Sequence, residues 1–367
     1  MCPDKPGRVV LKLGTGVLTL GVGHLNEPRI RELCEQVLQW RKAGWEIIIV
    51  SSGAVGLGMG QLGLDQRPAE MSLLQACAAI GQTSLVETWQ KAFGTHQVSI
   101  AQVLLTREDL NSRNRHIGVR DTLQELLSRG VIPVINENDT VSTEEIKFGD
   151  NDVLSALVAS LVKADTLVIL STVEGLKDLS ENGALIPLVE SVTPEIQELA
   201  EGTQSATAVG GMVSKLEAAK IANRSGCGVF IIDGRRPIVL GEVLNGRNPG
   251  TFFVPHSADL KSRKRWLAFF QKPCGSLVVD TGARAALENN GGSLLARGIL
   301  ATRGDFSRGS MVEVEDDQGV VFALGFCQFS SSEVKELLGQ ENQFVQTSFP
   351  NIGKGEVIHR DSLVLCD

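Results

Sequence analysis

Short unbroken apolar runs recur through the first 255 residues: "EIIIV" (46–50), "VIPVI" (131–135), "TLVIL" (166–170) and "GVFIID" (228–233). None alternates with polar positions, so each predicts a strand covered on both faces, as in a parallel sheet. Between them the apolar spacing changes to that of a helix. Over 27–43, Ile30, Leu33, Val37 and Leu38 form one stripe; Asn26 can cap its start, Pro28 fits the first turn and Gly44 ends it. In "NDVLSALVASLVKAD", Val153, Leu154, Leu157, Val158, Leu161 and Val162 mark one buried face. Strands alternating with helices predict an α/β fold, a mainly parallel sheet between helical layers joined by right-handed crossovers.

The texture changes after residue 255. "KSRKRW" (261–266) is a basic hinge, and "KPCGSLVVDTGA" opens a stretch of short strands and glycine turns, with Asp317-Gln318-Gly319 as one tight turn. The division expected is therefore a catalytic domain over 1–258, a basic linker over 259–274 and a small, mainly β domain over 275–367. At 367 residues the chain is long enough for two such units.

Composition narrows the chemistry. The net charge of −8 argues against a general nucleic-acid or membrane binder. No run of 18 apolar residues and no basic, apolar leader is present, so a cytoplasmic protein is expected. Seven scattered cysteines, with no C-x-x-C, suit a reduced compartment rather than a disulfide framework or a zinc site.

In a doubly wound sheet ligands bind beyond the carboxyl ends of the strands, and here those ends are small and polar. "VVLKLGTGV" (9–17) puts Lys12 in a strand ahead of Gly14 and Gly16, the reverse of the P-loop order. The lysine either snorkels from a tight turn or aims its ammonium at phosphate oxygens. "VSSGAVGLG" places Ser51, Ser52 and Gly53 at a helix start, which is turn chemistry or an anion site. "INENDTV" sets Asn136, Glu137, Asn138 and Asp139 after a strand, suiting a solvated loop or hydrogen bonds to a zwitterion. "KFGDNDVLSAL" puts Asp150, Asn151 and Asp152 at a helix head beside Lys147, more than a cap requires. In "VGGMVSKLEAAKIA", Gly210 and Gly211 open a helix with Lys215 one turn in, a phosphate cradle with a second cation. Two lysines, glycine turns and a carboxylate to orient the ammonium groups suit phosphoryl transfer, which is mostly positioning and charge stabilisation.

In this order and spacing the stretches resemble the amino-acid kinase superfamily, and within it the glutamate 5-kinases. "VVLKLGTGVLT", "SSGAVGLG", "PVINENDTV", "EIKFGDNDVLSALVA" and "GGMVSKLEAA" carry the resemblance, and "GSLLARGI", "GDFSRGSMVEV" and "VIHRD" are similar to the PUA domain that follows in that family. Almost the whole chain is covered. The resemblance implies an amino-acid-kinase fold followed by a small PUA-like β domain, and phosphorylation of the γ-carboxylate of L-glutamate by ATP in the first step of proline synthesis. It implies Lys12, Lys215 and Asp152 as the catalytic set. Ser52, Asp139 and Asn151 would bind glutamate, with Asn136, Lys147 and Asp150 as neighbours. ATP would meet Lys12, Gly14, Ser171, Thr172, Val209, Gly210, Gly211, Met212, Val213, Ser214 and Lys215, carrying Mg²⁺ on its phosphates. A homo-oligomer, feedback inhibition by proline and coupling to a glutamyl-phosphate reductase are implied as well.

Two departures from the family pattern stand out. The family carries Thr-Asp after the strand at 166–170, where this chain has Ser171-Thr172; before Gly210-Gly211 it favours Gly-Thr or Gly-Ser, where this chain has Ala208-Val209. The alternatives are a sister carboxylate, carbamate or UMP kinase, or a binding protein sensing glutamate or proline or holding RNA with its tail. The segment 274–367 has 7 basic against 13 acidic residues, a net of −6 that disfavours RNA.

Overall fold

The computed structural model describes residues 6–111, 113–141, 151–178, 183–201, 211–256, 273–349 and 355–366. The chain divides into two compact units, Met1–Asp259 and Leu260–Asp367. Of the linker expected over 259–274, residues 259–272 lie outside the described ones.

The first unit is built on an eight-stranded sheet. In spatial order its strands are Leu188–Val189, Thr251–Phe253, Gly228–Asp233, Thr166–Ser171, Arg8–Leu13, Glu46–Ser51, Ile132–Glu137 and Ile100–Leu105. The six strands from Gly228–Asp233 across to Ile100–Leu105 run parallel, and Thr251–Phe253 with the edge strand Leu188–Val189 runs the opposite way. All four apolar runs form strands. Thr166–Ser171 and Gly228–Asp233 are buried at every position, as expected for strands covered on both faces. Arg8–Leu13 lies between the strand that follows it, Glu46–Ser51, and the much later Thr166–Ser171. The connections therefore leave it in opposite directions, and the crevice of a doubly wound sheet opens at its carboxyl end.

Helix Glu27–Lys42 starts as its sequence predicts, the Asn26 side chain accepting from the Arg29 N–H at 3.2 Å. Its stripe packs on a core containing Trp40, Trp89, Phe93 and Phe230. Helix Asn151–Val162 departs from the single buried face expected of it: all its residues are buried. Its polar positions are small, and Ser155 turns its hydroxyl back to the Asp152 carbonyl at 2.6 Å, so the helix can be enclosed all round. Helices Ala54–Gln61 and Met71–Gly94 cross backbone to backbone. A Cβ on Gly58 would lie 1.8 Å from the Cys77 carbonyl oxygen, and one on Gly81 would lie 1.8 Å from that of Ala54.

The second unit holds a five-stranded sheet in the order Ile299–Gly304, Gly275–Val279, Met311–Glu315, Val321–Phe326 and Leu363–Leu365. Its core includes Leu277, Val312, Val314, Phe329 and Ile358. The turn at Asp317-Gln318-Gly319 joins two antiparallel strands, with Gly319 at φ 84°. Short helices accompany the strands; Ser331–Leu337 begins with a reciprocal capping box between Ser330 and Glu333. Among the described residues no helix is long and apolar enough to cross a membrane.

Candidate functional site

Lys12 occupies the penultimate position of strand Arg8–Leu13 and is only 7 % exposed. A buried ammonium must be paired. Its Nζ lies 2.5 Å from Asp152 Oδ1, and Lys215 Nζ lies 2.9 Å from Asp152 Oδ2. Asp152 has no exposed surface, and Ser214 Oγ donates to its Oδ2 at 3.3 Å. Strand order unites these residues: helices Asn151–Val162 and Met212–Arg224 pack together with their starts at the crevice. Burial pushes the Asp152 carboxyl up, but the charges and hydrogen bonds of Lys12 and Lys215 outweigh it and hold the pKa below the ordinary value. Two ammonium groups on one carboxylate leave a net positive charge in a dry place, which is what a transferring phosphoryl group requires.

Toward Glu46–Ser51 and Ile132–Glu137 the site is a hydrogen-bonded polar cluster. Asn151 Nδ2 lies 2.9 Å from each of three acceptors, the Ser51 carbonyl, Ser52 Oγ and Asn136 Oδ1. Asn136 Oδ1 also accepts from the Glu137 N–H at 3.0 Å, while its Nδ2 donates to Gln82 Oε1 at 2.8 Å. This fixes both amides, and among the described residues it leaves Asn151 Oδ1 buried with no hydrogen-bond partner. An acceptor left so costs about 1–3 kcal/mol unless a ligand donates to it. Asp139 is half-buried and makes no link to this cluster among the described contacts; burial pushes its carboxyl up to about 6 against the opposing charge of Arg67.

Toward the other side lie the end of strand Thr166–Ser171 and the start of helix Met212–Arg224. Ser171 is buried and Thr172 exposed. Gly14 donates its N–H to the Leu170 carbonyl at 3.0 Å, drawing the Lys12 turn against that strand end. Gly211 begins the helix with no side-chain cap of its own, and among the described residues this leaves first-turn N–H groups for an anion. Met212 is buried there and Val213 exposed. Lys147, Asp150, Val209 and Gly210 lie outside the described residues. Among the described residues no group of three or more His, Cys, Asp or Glu side chains could cage a metal ion.

Sequence reading missed Gln82 and also Trp89, whose indole N–H donates to Ser51 Oγ at 3.1 Å. Both lie on helix Met71–Gly94, far along the chain from the strand ends they support, so no local pattern marks them.

A model of the amino acid kinase family matches residues 7–233, and one of the PUA domain matches residues 275–346. A glutamate 5-kinase of Geobacter sulfurreducens is 43% identical over 366 residues, covering 99% of this chain and 98% of its own. One from Citrifermentans bemidjiense is 44% identical over 365 residues, covering 98% of each chain. One from Pelobacter propionicus is 42% identical over 362 residues, covering 98% of this chain and 97% of its own.

Proposed function

Since the chain belongs to the amino acid kinase family, among the glutamate 5-kinases, we propose that it transfers the γ-phosphoryl group of ATP to the γ-carboxylate of L-glutamate. The observation that carries the reading is the buried Lys12–Asp152–Lys215 cluster between two chemically unlike sides. One, around Ser52, Asn136 and Asn151, is rich in fixed amides and hydroxyls; the other is a glycine-opened helix start. Such a division suits an amino acid on one side and a nucleotide phosphate chain on the other.

The chemistry follows from charge. The γ-carboxylate of glutamate, with a pKa of about 4.3, is ionised at neutral pH, so the nucleophile needs no general base. One of its oxygens bonds to the γ-phosphorus, the bond from that phosphorus to the β-bridging oxygen breaks, and ADP leaves with the electron pair. Lys12 and Lys215 sit where they neutralise the equatorial oxygens, and Asp152 keeps both ammonium groups in place. We assign the donor for the Asn151 Oδ1 acceptor to the substrate's α-ammonium group, with the Asp139 carboxylate as the counter-charge to test. Mg²⁺ fits as a passenger on the nucleotide, since Asp152 is committed to two lysines, and there it supplies further charge neutralisation.

The product is a labile acyl phosphate, so a reductase that consumes it at once is the natural partner; cross-linking that never joins the two proteins would count against direct transfer. The same reading extends to inhibition by proline and to a homo-oligomer, tested by initial rates with added proline and by light scattering. Substrate choice gives the discriminating test. ADP release is expected with L-glutamate and at most a few per cent of that rate with aspartate, N-acetylglutamate, carbamate or UMP. A higher rate with any of these would reassign the substrate.

A further inference from the structure

A second polar device stands at the carboxyl edge of the sheet, built from residues to which phosphoryl transfer gives no task. Strand Gly228–Asp233 ends on Asp233, in register with Ser171 of the neighbouring strand. Two residues on, the Arg235 main-chain N–H and Nε each donate to Asp233 Oδ1 at 2.9 Å. Its Nη2 donates at 2.8 Å both to Asp233 Oδ2 and to the Thr172 carbonyl. The guanidinium is thus held in one plane, yet 57% of the side chain remains exposed.

The loop beneath it is bolted down. Arg29, only 6 % exposed, donates from Nε and Nη2 to the Gly234 carbonyl at 2.9 and 2.6 Å, and from Nη2 to the Arg236 carbonyl at 2.7 Å. Gly234 donates to the Ser171 carbonyl at 2.8 Å, and Arg236 reaches the Pro249 carbonyl at 3.0 Å. The loop closes at Ile238 with φ 60°, left-handed and rare for a β-branched residue. Strain of that kind persists where surrounding structure over-determines it, typically beside a ligand. An exposed ion pair alone contributes too little to account for this framework.

The loop also adjoins the Lys12 turn. A Cβ on Gly234 would lie 2.9 Å from Val17 Cγ2, and one on Gly16 would lie 2.7 Å from Thr172 Cγ2. Gly14–Val17, Leu170–Thr172 and Asp233–Arg235 therefore form one rim. Asp233 lies two strands from Lys12 on the side away from Asn136, about 10 Å at the usual spacing of neighbouring strands. That is the reach of a sugar and base beyond a triphosphate seated at Lys12 and Lys215.

We propose that Arg235, held by Asp233 and the Thr172 carbonyl, is a nucleoside-binding residue whose guanidinium face and remaining N–H groups meet the base and ribose of the nucleoside triphosphate. The inference rests on the phosphoryl-transfer reading for the position of the phosphates. A planar guanidinium stacks on aromatic rings and donates along its edge, neither of which an ammonium reproduces.

Equilibrium binding tests this without requiring turnover. The wild type, Arg235→Ala and Arg235→Lys are titrated with ATP, ADP and inorganic tripolyphosphate, with glutamate KM and Tm measured alongside. Arg235→Ala is expected to weaken ATP and ADP binding about tenfold. Tripolyphosphate binding, glutamate KM and Tm stay as in the wild type, and Arg235→Lys falls between. Unchanged ATP affinity, or equal losses for ATP and tripolyphosphate, overturns the assignment; so does a general loss with lowered Tm, which marks a structural role. A wild type that binds ATP but leaves glutamate unphosphorylated overturns the proposed function while Arg235 is still judged by its binding constants. A wild type that binds no ATP overturns both.

Discussion

Asp152 shows how one residue reconciles opposing demands. A carboxylate without solvent would by itself take up a proton, yet two lysines within 2.9 Å keep it charged. Its folded pKa is depressed, so its contribution to stability is present above the ordinary carboxylate pKa of about 3.9 and is lost as pH falls through the lower folded value. Asp152→Asn leaves two buried ammonium groups uncompensated; the expected cost is about 3–5 kcal/mol, read by urea denaturation, together with loss of phosphoryl transfer. Asp139 runs the other way. Its pKa is raised to about 6, so its contribution to stability falls as pH rises from about 4 toward about 6. If it holds the substrate ammonium when ionised, glutamate KM should rise as pH drops through about 6. Asp139→Asn should raise KM at neutral pH and flatten that dependence; an unchanged pH profile would remove Asp139 from the binding site.

At the scale of elements, fold class could be read from the chain because doubly covered strands have no polar face to confuse them. "GVFIID" and strand Gly228–Asp233 coincide, and the Asn26 cap stands where its sequence puts it. Helix Asn151–Val162 is enclosed beyond the one apolar face its spacing predicts, because Ser155, Ala159 and Ser160 are small enough to be buried as well. Lys12, Asp152 and Lys215 could each be singled out by their flanking glycines and acids, whereas Gln82, Trp89, Arg29 and Arg235 could not. Arg29 works on a carbonyl 205 residues away, and only strand order reveals such a partner. The crossing of Ala54–Gln61 with Met71–Gly94 is similarly invisible locally but sharply testable. Gly81→Val would drive a side chain into the Ala54 carbonyl, which lies 1.8 Å from the modest Cβ of even an alanine. We expect a loss of at least about 2 kcal/mol of stability by chemical denaturation. The helix Met71–Gly94 also carries Gln82 and Trp89, so glutamate KM should rise with it.

At the scale of the molecule, the two units differ in what their charges do. In the first, buried cations gather on Asp152 and leave positive charge for a ligand. In the second, several arginines are already paired: Arg284 with Asp316 and Glu288, Arg303 with Glu315 and Arg308 with Glu333. With a net of −6 over 274–367, that unit carries little free positive charge for a phosphate backbone. The acyl phosphate is the product that defines this chemistry. The most direct measurement incubates the full chain with ATP, Mg²⁺, L-glutamate and hydroxylamine and reads γ-glutamyl hydroxamate, with Lys215→Ala in parallel. Ready formation by the wild type, falling about 10³-fold or more in the variant, is the predicted result. No hydroxamate from the wild type, or an equal yield from Lys215→Ala, would contradict it.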